Sequence, residues 1–164
     1  VTVKDSFPIP RVDECLDALS GAKVFATLDL SSGFFQVPLS ESSREKTAFS
    51  TPSGLYEWCV MTMGLCNSPC TFQRLMSLCL QGLQWETCLV YLDDVIVFGK
   101  DTEELLDRLR GVFERLRGEG LKLKPAKCNL LRKSIDYLGH RVSAEGVSPD
   151  PKKTSAIRDC PAPR

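Results

Sequence analysis

Histidine is almost absent from this chain, which has a single one, His140, among its 164 residues. Protein zinc sites are built mainly from closely spaced cysteines and histidines, with further ligands later in the chain. Cys66 and Cys70 are the only close cysteine pair, and neither a second such pair nor a neighbouring histidine accompanies them. A zinc site is therefore not expected. The eight cysteines lie mostly in apolar patterns, which predicts buried free thiols rather than disulfides.

Long apolar runs are also missing, and the first residues do not form a charged region followed by an apolar one. A bilayer-spanning helix needs about 20 consecutive apolar residues, and a secretory leader needs both of those regions. We therefore expect no membrane contact, no secretion and an intracellular location. A length of 164 residues with 43% hydrophobic and 26% charged residues indicates one ordinary globular domain or a piece of a larger protein.

Net charge is absent too, because 21 basic residues balance 21 acidic ones. Nucleic-acid-binding domains that act alone usually carry a basic excess, so this balance argues mildly against that class. The distribution is uneven, however, since residues 108–133 hold nine basic residues and only two acidic ones. This basic segment is typical either of a charged binding surface or of a solvated helix face whose long side chains cover apolar surface.

Two adjacent aspartates, Asp93 and Asp94, lie between the apolar runs Cys88–Val90 and Val95–Phe98. Both runs are short and rich in β-branched and aromatic residues, so they predict two buried strands joined by a tight turn around Tyr91-Leu92-Asp93-Asp94. Adjacent carboxylates are unfavourable there unless water or a cation compensates them. A divalent cation is one interpretation. The other is that these aspartates are ordinary turn residues facing solvent.

A third aspartate, Asp29, ends the strand pattern of residues 23–30 and precedes the break Ser31-Ser32-Gly33. If this strand lies beside the hairpin in one sheet, Asp29, Asp93 and Asp94 meet at one edge. Three carboxylates suit a hard cation such as Mg²⁺. Two such ions are the usual means of in-line phosphoryl or nucleotidyl transfer.

The remaining pattern predicts an α+β fold, an antiparallel sheet of split βαβ type with helices on one face. Helices are expected from Val12 to Gly21, after an N-cap at Asn67 or Ser68, and from Asp101 to Gly118. A β-hairpin is expected over residues 46–56, with Glu57–Met61 continuing its second strand. A short strand and turn are expected over Leu121–Cys128, and Phe35 is expected in the core.

The chain resembles the reverse transcriptase domain of Gypsy-type LTR retrotransposons, which is related to the retroviral polymerases. The matching segments occur in the family's order and cover nearly the whole chain: Phe7-Pro8-Ile9-Pro10-Arg11, Leu28-Asp29-Leu30-Ser31-Ser32-Gly33-Phe34, Lys46-Thr47-Ala48-Phe49, Met63-Gly64-Leu65-Cys66-Asn67-Ser68-Pro69, Thr71-Phe72-Gln73-Arg74-Leu75-Met76, Tyr91-Leu92-Asp93-Asp94, Leu121 to Cys128, and Tyr137-Leu138-Gly139-His140.

This resemblance implies a polymerase palm with part of the fingers, which makes DNA from deoxynucleoside triphosphates on an RNA or DNA template. It implies two Mg²⁺ or Mn²⁺ ions as cofactors. The site residues that it implies fall into four groups: catalytic Asp29, Asp93, Asp94 and Lys127; metal-binding Asp29, Leu30, Asp93 and Asp94; nucleotide-binding Gly33, Phe34, Met63, Gly64 and Tyr91; and primer- or template-binding Gln73, Tyr91, Leu138, Gly139 and His140.

Within these groups, Lys127 is implied to protonate the leaving pyrophosphate, and Phe34 to exclude a ribose 2′-hydroxyl. Residues 1–164 would be a reverse transcriptase fragment of a Pol polyprotein, and 149–164 would begin a connection to a downstream domain. The implied partners are a template-primer, ribonuclease H and integrase domains of the same polyprotein, and a possible second copy. The implied location is a cytoplasmic virus-like particle or the nucleus.

Two alternatives from other classes stay open. The chain could be an inactive or co-opted remnant that binds nucleic acid, although three intact aspartates count against simple decay. A nucleotidyl cyclase could use a similar sheet with two metals, but it has no use for a hairpin that grips a primer.

Overall fold

The computed structural model describes residues 2–150 and contains helices on both sides of an antiparallel sheet. Its helices are α1 (Val12–Ala18), α2 (Glu41–Arg44), α3 (Ser68–Cys79) and α4 (Thr102–Gly118). Its strands are β1 (Val24–Asp29), β2 (Phe49–Thr51), β3 (Gly54–Tyr56), β4 (Cys88–Tyr91), β5 (Asp94–Gly99), β6 (Asn129–Arg132), β7 (Ser134–Tyr137), β8 (His140–Ser143) and β9 (Gly146–Pro149). Short 3₁₀ turns span Gly33–Gln36, Glu45–Thr47 and Pro125–Lys127.

The main sheet has the order β4-β5-β1-β6, and all its neighbouring strands are antiparallel. Side chains alternate between the two faces of a strand, so successive residues of β1 and β5 enter different cores. Ala26 and Val97 belong to the core on one face, whereas Phe25 and Ile96 belong to the core on the other. The central strands are therefore buried on both faces, as their nearly continuous apolar runs predict.

The first core packs α3 and α4 against the sheet. Its fully buried side chains include Phe72 and Met76 of α3 together with Leu105 and Val112 of α4. Each side chain of this size stabilises the fold by about 1.5–3 kcal/mol when it leaves water. Two of the three expected helices therefore pack on the same face of the sheet.

The second core covers the opposite face with α1 and the three-stranded sheet β7-β8-β9. Cys15 and Leu19 of α1 lie there with Tyr137 of β7 and Val142 of β8. The short helix α1 thus departs from the expected one-sided arrangement. The small sheet brings the β7–β8 turn next to the end of the main sheet that carries the aspartates.

The two long helices begin differently. Asp101 caps α4 in the expected way, because its Oδ1 accepts the backbone N–H of Glu104 at 2.9 Å. Asn67 occupies the N-cap of α3 but makes no side-chain cap bond. Its side-chain amide instead donates to the Val3 carbonyl and accepts the Asp5 N–H, so it ties the first residues of the chain to α3.

Two expectations about strands are corrected. The second strand of the 46–56 hairpin ends at Tyr56, and Glu57–Met61 leaves it, with only Val60 forming an isolated bridge to Pro38. Leu121–Cys128 contains one bridge, Leu30 to Leu123, and a 3₁₀ turn rather than a strand. The strand in this region is β6, which follows it, and it pairs with β1.

The cysteines differ in part from expectation, and the expected C-terminal connection falls largely outside the described residues. Cys15, Cys79 and Cys88 are buried free thiols, whereas Cys59 and Cys66 are exposed. The connection expected over 149–164 lies outside the described residues from 151 onward, and Cys160 lies there too. None of the helices in residues 2–150 is long and apolar enough to cross a membrane.

Candidate active site

The three aspartates meet at one end of the main sheet. Asp29 is the last residue of β1 and Asp94 the first of β5, and the two are cross-strand partners in the β1–β5 register. Asp94 also pairs with Tyr91, so Leu92 and Asp93 form the two-residue turn of the β4–β5 hairpin. The predicted hairpin and the predicted neighbourhood of the aspartates are both confirmed.

The negative charge of this edge is only partly compensated. The pKa of the Asp94 carboxyl is raised above its ordinary value, first because neighbouring atoms desolvate it and then because Asp93 and Asp29 repel its charge. The positive charge of Lys127 offsets part of this effect. A cation bound at the edge would relieve the repulsion among the three carboxylates.

Lys127 lies at the same edge, although its sequence position gave no geometric reason to expect it there. The 3₁₀ turn Pro125–Lys127 places its Nζ 3.3 Å from Oδ2 of Asp29. The turn is held by the backbone, because the Lys124 N–H donates to the Asp29 carbonyl at 2.9 Å. The resemblance singled out Lys127, and the chain brings it into contact with an aspartate.

A metal centre is not preformed at this edge. Among residues 2–150, no group of three or more His, Cys, Asp or Glu side chains is arranged to hold a metal ion. The expected convergence is therefore one of backbone positions, and the Asp29 carboxylate is paired with Lys127. The donor chemistry nevertheless fits Mg²⁺ or Mn²⁺, which prefer carboxylate oxygens. Leu30, expected beside the metal, is buried and bridged to Leu123.

Gly33 and Phe34 are fixed by α3. Gly33 is buried in the 3₁₀ turn, and a Cβ added to it would lie 2.8 Å from Cζ of Phe72, so no larger residue fits without movement. The Phe34 ring packs edge-on against Phe72, with a centroid distance of 5.2 Å. Phe35, expected in the core, is only half-buried and packs against Trp58 outside both cores.

The other expected nucleotide contacts differ in exposure. Met63 is 69% exposed, and Gly64 follows it with a φ of +87° that L residues rarely adopt. Tyr91 is half-buried at the end of β4, opposite Asp94. Met63 and Gly64 thus present an open loop, whereas Tyr91 is part of the β4–β5 hairpin, the aspartate hairpin.

Gln73 is the clearest correction among the site residues. It was expected to contact primer or template, but its side chain is buried, with 1% of the residue exposed. Its Oε1 accepts the Leu92 N–H at 2.7 Å, and its Nε2 donates to the Val90 carbonyl at 3.3 Å. Both ends of the amide are thus taken up by the aspartate hairpin.

Leu138 and Gly139 form the two-residue turn between β7 and β8, with φ values of +47° and +81°. His140 pairs with Tyr137 across this hairpin, and its ring Nδ1 lies 3.2 Å from the Leu138 carbonyl. Leu138 and Asp94 line one small cavity of about 130 Å³. The turn expected to hold the primer therefore adjoins the aspartate edge.

A basic groove beside this cavity was not predicted as a site. It has a volume of about 490 Å³, and its lining includes three cationic residues, Arg132, Lys133 and Arg141. Thr27 and Asp136 line both the groove and the small cavity at Asp94. The basic segment of the sequence was the only signal, and it could not show that Arg132 and Lys133 meet Arg141 from another strand.

Comparison with known proteins gives a consistent result. A family model described as reverse transcriptase (RNA-dependent DNA polymerase) matches residues 1–142. The chain is 45% identical over 163 residues to the retrovirus-related Pol polyprotein from transposon 297 of Drosophila melanogaster, covering 99% of the chain and 15% of that protein. It is 37% identical over 162 residues to the Pol polyprotein from transposon gypsy of the same organism, covering 99% of the chain and 16% of that protein.

Solved structures agree. The fold is similar to a foamy viral protease-reverse transcriptase in complex with double-stranded DNA, with a TM-score of 0.91 and 26% identity over 99% of this chain and 28% of that one. It is also similar to a foamy viral protease-reverse transcriptase in complex with an RNA/DNA hybrid, with a TM-score of 0.88 and 26% identity over 99% of this chain and 22% of that one.

Proposed function

This chain belongs to the reverse transcriptase (RNA-dependent DNA polymerase) family, and from that premise we propose that it forms the palm and part of the fingers of a DNA polymerase within a retroelement Pol polyprotein. The observation that carries this proposal is the pairing of Asp29 with Asp94, with Asp93 in the adjoining turn. Three carboxylates at one strand edge are suited to two-ion nucleotidyl transfer. The double-stranded DNA and the RNA/DNA hybrid in complex with the two foamy viral proteins agree with the proposed template-primer.

In the proposed reaction, the 3′-hydroxyl oxygen of a primer attacks the α-phosphorus of a deoxynucleoside triphosphate. A new P–O bond forms as the hydroxyl proton passes to water, the bond from the α-phosphorus to the oxygen that bridges it to the β-phosphorus breaks, and pyrophosphate leaves with that oxygen. Asp29, Asp93 and Asp94 would hold two Mg²⁺ or Mn²⁺ ions, which when bound lower the pKa of the attacking hydroxyl and stabilise charge on the phosphate.

The chain's other residues have separate proposed roles. Lys127 lies in a turn at the aspartate edge, with its Nζ 3.3 Å from Oδ2 of Asp29. Its ammonium group would protonate the leaving pyrophosphate or stabilise the negative charge on it. Phe34, held against Phe72, forms the wall that a ribose 2′-oxygen would strike. The Leu138-Gly139 turn holds the primer end beside Asp94.

The chain spans only 15% of the transposon 297 polyprotein that it matches. We propose that ribonuclease H and integrase domains act in the same polyprotein, inside cells, and that a second copy can pair with it. Phosphate contacts contribute much of the affinity for nucleic acid, and charge clamps on the triphosphate stabilise the transition state. Residues 1–164 alone are therefore expected to extend a primer on poly(rA) with little or no activity, and flanking segments are expected to restore it. Processive extension by residues 1–164 alone would contradict this expectation.

Primer extension by a protein that includes those flanking segments tests the proposal. Asp93→Asn keeps the size of the side chain but removes its charge, so nucleotide incorporation should be abolished while the fold remains. Asp107→Asn is the matched control, because Asp107 is a solvent-exposed aspartate of α4 paired only with Arg110. Normal extension by Asp93→Asn would refute the metal assignment. Absence of extension by the unaltered protein, with template-primer binding intact, would favour the inactive remnant.

Sugar selection provides a second test. Phe34→Val should relax discrimination against ribonucleotides, because the smaller side chain opens space for a 2′-hydroxyl. Phe35→Val is the control, since Phe35 packs against Trp58 instead. If Phe34→Val rejects ribonucleotides as strongly as the unaltered protein, Phe34 acts only in packing.

A further inference from the structure

Gln73 is a buried polar residue in the middle of α3, and its side chain forms hydrogen bonds with the backbone of the β4–β5 hairpin. Its amide accepts the Leu92 N–H at 2.7 Å and donates to the Val90 carbonyl at 3.3 Å. A buried amide is costly unless both its donor and its acceptor are used. Here both are used by the backbone on either side of Tyr91, at the start of the turn that carries Asp93.

Leu92 needs such support. Its φ of +56° lies in the left-handed region. This backbone conformation costs about 1–2 kcal/mol for a residue such as leucine, whereas Gly, Asn and Asp adopt it more readily. The strand register ends at the pair Tyr91–Asp94, so the Leu92 N–H lies inside the turn rather than in the ladder. Strained backbone persists where its surroundings fix it, and Gln73 supplies that constraint.

The preceding residue of α3 supports the other half of the site. Phe72 lies against Gly33, where a Cβ would come within 2.8 Å of its ring, and packs edge-on with Phe34 at 5.2 Å. Successive helical side chains point about 100° apart, so two neighbours can reach two different elements. Phe72 reaches the turn after β1, and Gln73 reaches the turn between β4 and β5.

We propose that Phe72 and Gln73 are positioning residues, which together set the separation between the Phe34 wall and the Asp93 turn. The rigid helix α3 would act as the common reference for the sugar-selecting and metal-binding parts of the site. This inference rests on the proposed function for its meaning, whereas the two contacts themselves can be tested without activity.

Amide hydrogen exchange on the 164-residue chain, followed by NMR, tests the Gln73 contact. Gln73→Met keeps the length of the side chain but removes the acceptor, so exchange at the Leu92 amide should accelerate by about tenfold or more. Exchange at Leu89 and Ile96, which lie within the strands, should be unchanged. Gln84→Met is the matched control, because Gln84 also donates one side-chain bond to a backbone carbonyl, that of Ser77 in α3, and makes no such bond to the turn that carries Asp93.

Two further variants separate positioning from general destabilisation. Gln73→Glu, whose carboxyl is expected to stay protonated in this buried position, keeps both an acceptor and a donor at the same reach. It should retain the slow exchange of Leu92, even if Gln73→Met folds poorly. Phe72→Leu should shift the NMR signals of the Phe34 ring and leave Leu92 exchange unchanged. Gln73→Met should show the reverse pattern. Variants that alter both turns equally would show a loss of core packing and overturn the proposal.

Binding of Mn²⁺, measured by electron paramagnetic resonance on the same proteins, links the contact to the site. The unaltered chain and Gln84→Met should bind equally, and Gln73→Met should bind several-fold more weakly because its aspartate turn is no longer fixed. If the unaltered chain binds no Mn²⁺, the proposed function loses support while the exchange data still decide the Gln73 contact. Unchanged Leu92 exchange in Gln73→Met would refute that contact, and weaker template-primer binding with unchanged exchange would make Gln73 a nucleic-acid contact after all.

Discussion

Two of the β-hairpins in the described part of the chain, β2–β3 and β4–β5, have the same plan and opposite surroundings. The β2–β3 hairpin joins Thr51 to Gly54, and the β4–β5 hairpin joins Tyr91 to Asp94, each through a two-residue turn. The first has exposed strands three residues long, whereas the second lies in the main sheet with buried residues on both faces. We call them the aromatic hairpin and the aspartate hairpin.

The turns of the two hairpins differ in their residues. The aromatic hairpin has favourable turn chemistry in Pro52-Ser53-Gly54, and its strands contact through the stacked rings of Phe49 and Tyr56. The aspartate hairpin turns at Leu92, a poor turn residue, yet it is the one placed by the rest of the molecule. Local sequence is sufficient to form a turn, but tertiary contacts decide where its side chains lie. An isolated two-stranded hairpin is marginally stable in water.

The largest expected contrast is in core packing. Ile96 of the aspartate hairpin is fully buried, so Ile96→Ala should lower the free energy of unfolding by about 3 kcal/mol through lost contacts and a cavity. Leu55→Ala in the aromatic hairpin, where the side chain is 72% exposed, should change it by less than about 0.5 kcal/mol. Urea unfolding measures both. Equal losses would show that the two hairpins belong to one cooperative unit.

The next contrast is local rather than global. Gly54 has a φ of +144°, so Gly54→Ala should cost about 1–3 kcal/mol within the aromatic hairpin. Amide exchange over residues 49–56 should accelerate about tenfold while the urea midpoint stays unchanged. Gly111→Ala in α4 is the opposite control, since a Cβ there meets nothing within 4 Å and should stabilise by about 0.4–1 kcal/mol. A lowered midpoint in Gly54→Ala would contradict the independence of this hairpin.

A smaller effect concerns the left-handed turn of the aspartate hairpin. Leu92→Gly and Leu92→Ala lose the same side-chain contacts, but only glycine adopts a φ of +56° without cost. The glycine variant should therefore be more stable than the alanine variant by about 1 kcal/mol in urea unfolding. Val95 follows Asp94 in β5 and has ordinary strand geometry, so there the alanine variant should be more stable than the glycine variant. The same order at both positions would argue against backbone strain at Leu92.

The smallest expected effect is electrostatic and depends on pH. A carboxyl with a raised pKa binds protons more tightly in the folded state, so the Asp94 charge lowers the free energy of unfolding as pH rises. This penalty is absent below its ordinary pKa of 3.8 and complete above the raised value. Without metal at pH 7, Asp94→Asn should gain less than about 1 kcal/mol, because exposed charges are screened. Calorimetry from pH 3 to 7 checks this, and a gain that persists at pH 3 would contradict it.

The sequence predicted the elements of the site better than their contacts. Asp29 and Asp94 could be placed together because apolar alternation defines strands and strand ends meet at an edge. The strand β6 was missed because Asn129 and Arg132 are polar and all four of its residues are exposed, so no burial pattern indicates it. The role of Gln73 was missed because nothing in a helix pattern shows which distant backbone a buried amide meets.

Packing likewise decided the two neighbouring phenylalanines. The pair Phe34-Phe35 gives no local reason for one ring rather than the other to enter the core. Phe34 meets Phe72 because Gly33 lets α3 approach, and Phe35 is left to Trp58. Family resemblance identified Phe34 and Lys127, while physical reasoning from the sequence alone could not.

The distribution of thiols in this fold has a practical use. Cys59 and Cys66 are exposed on either side of the Met63-Gly64 loop, whereas burial raises the pKa of Cys15 and Cys79 and raises that of Cys88 to about 12. Only the thiolate reacts readily with alkylating reagents. The natural chain therefore carries its own attachment points for a fluorophore or spin label around that loop, and a dye placed there would test whether the loop responds to a nucleotide.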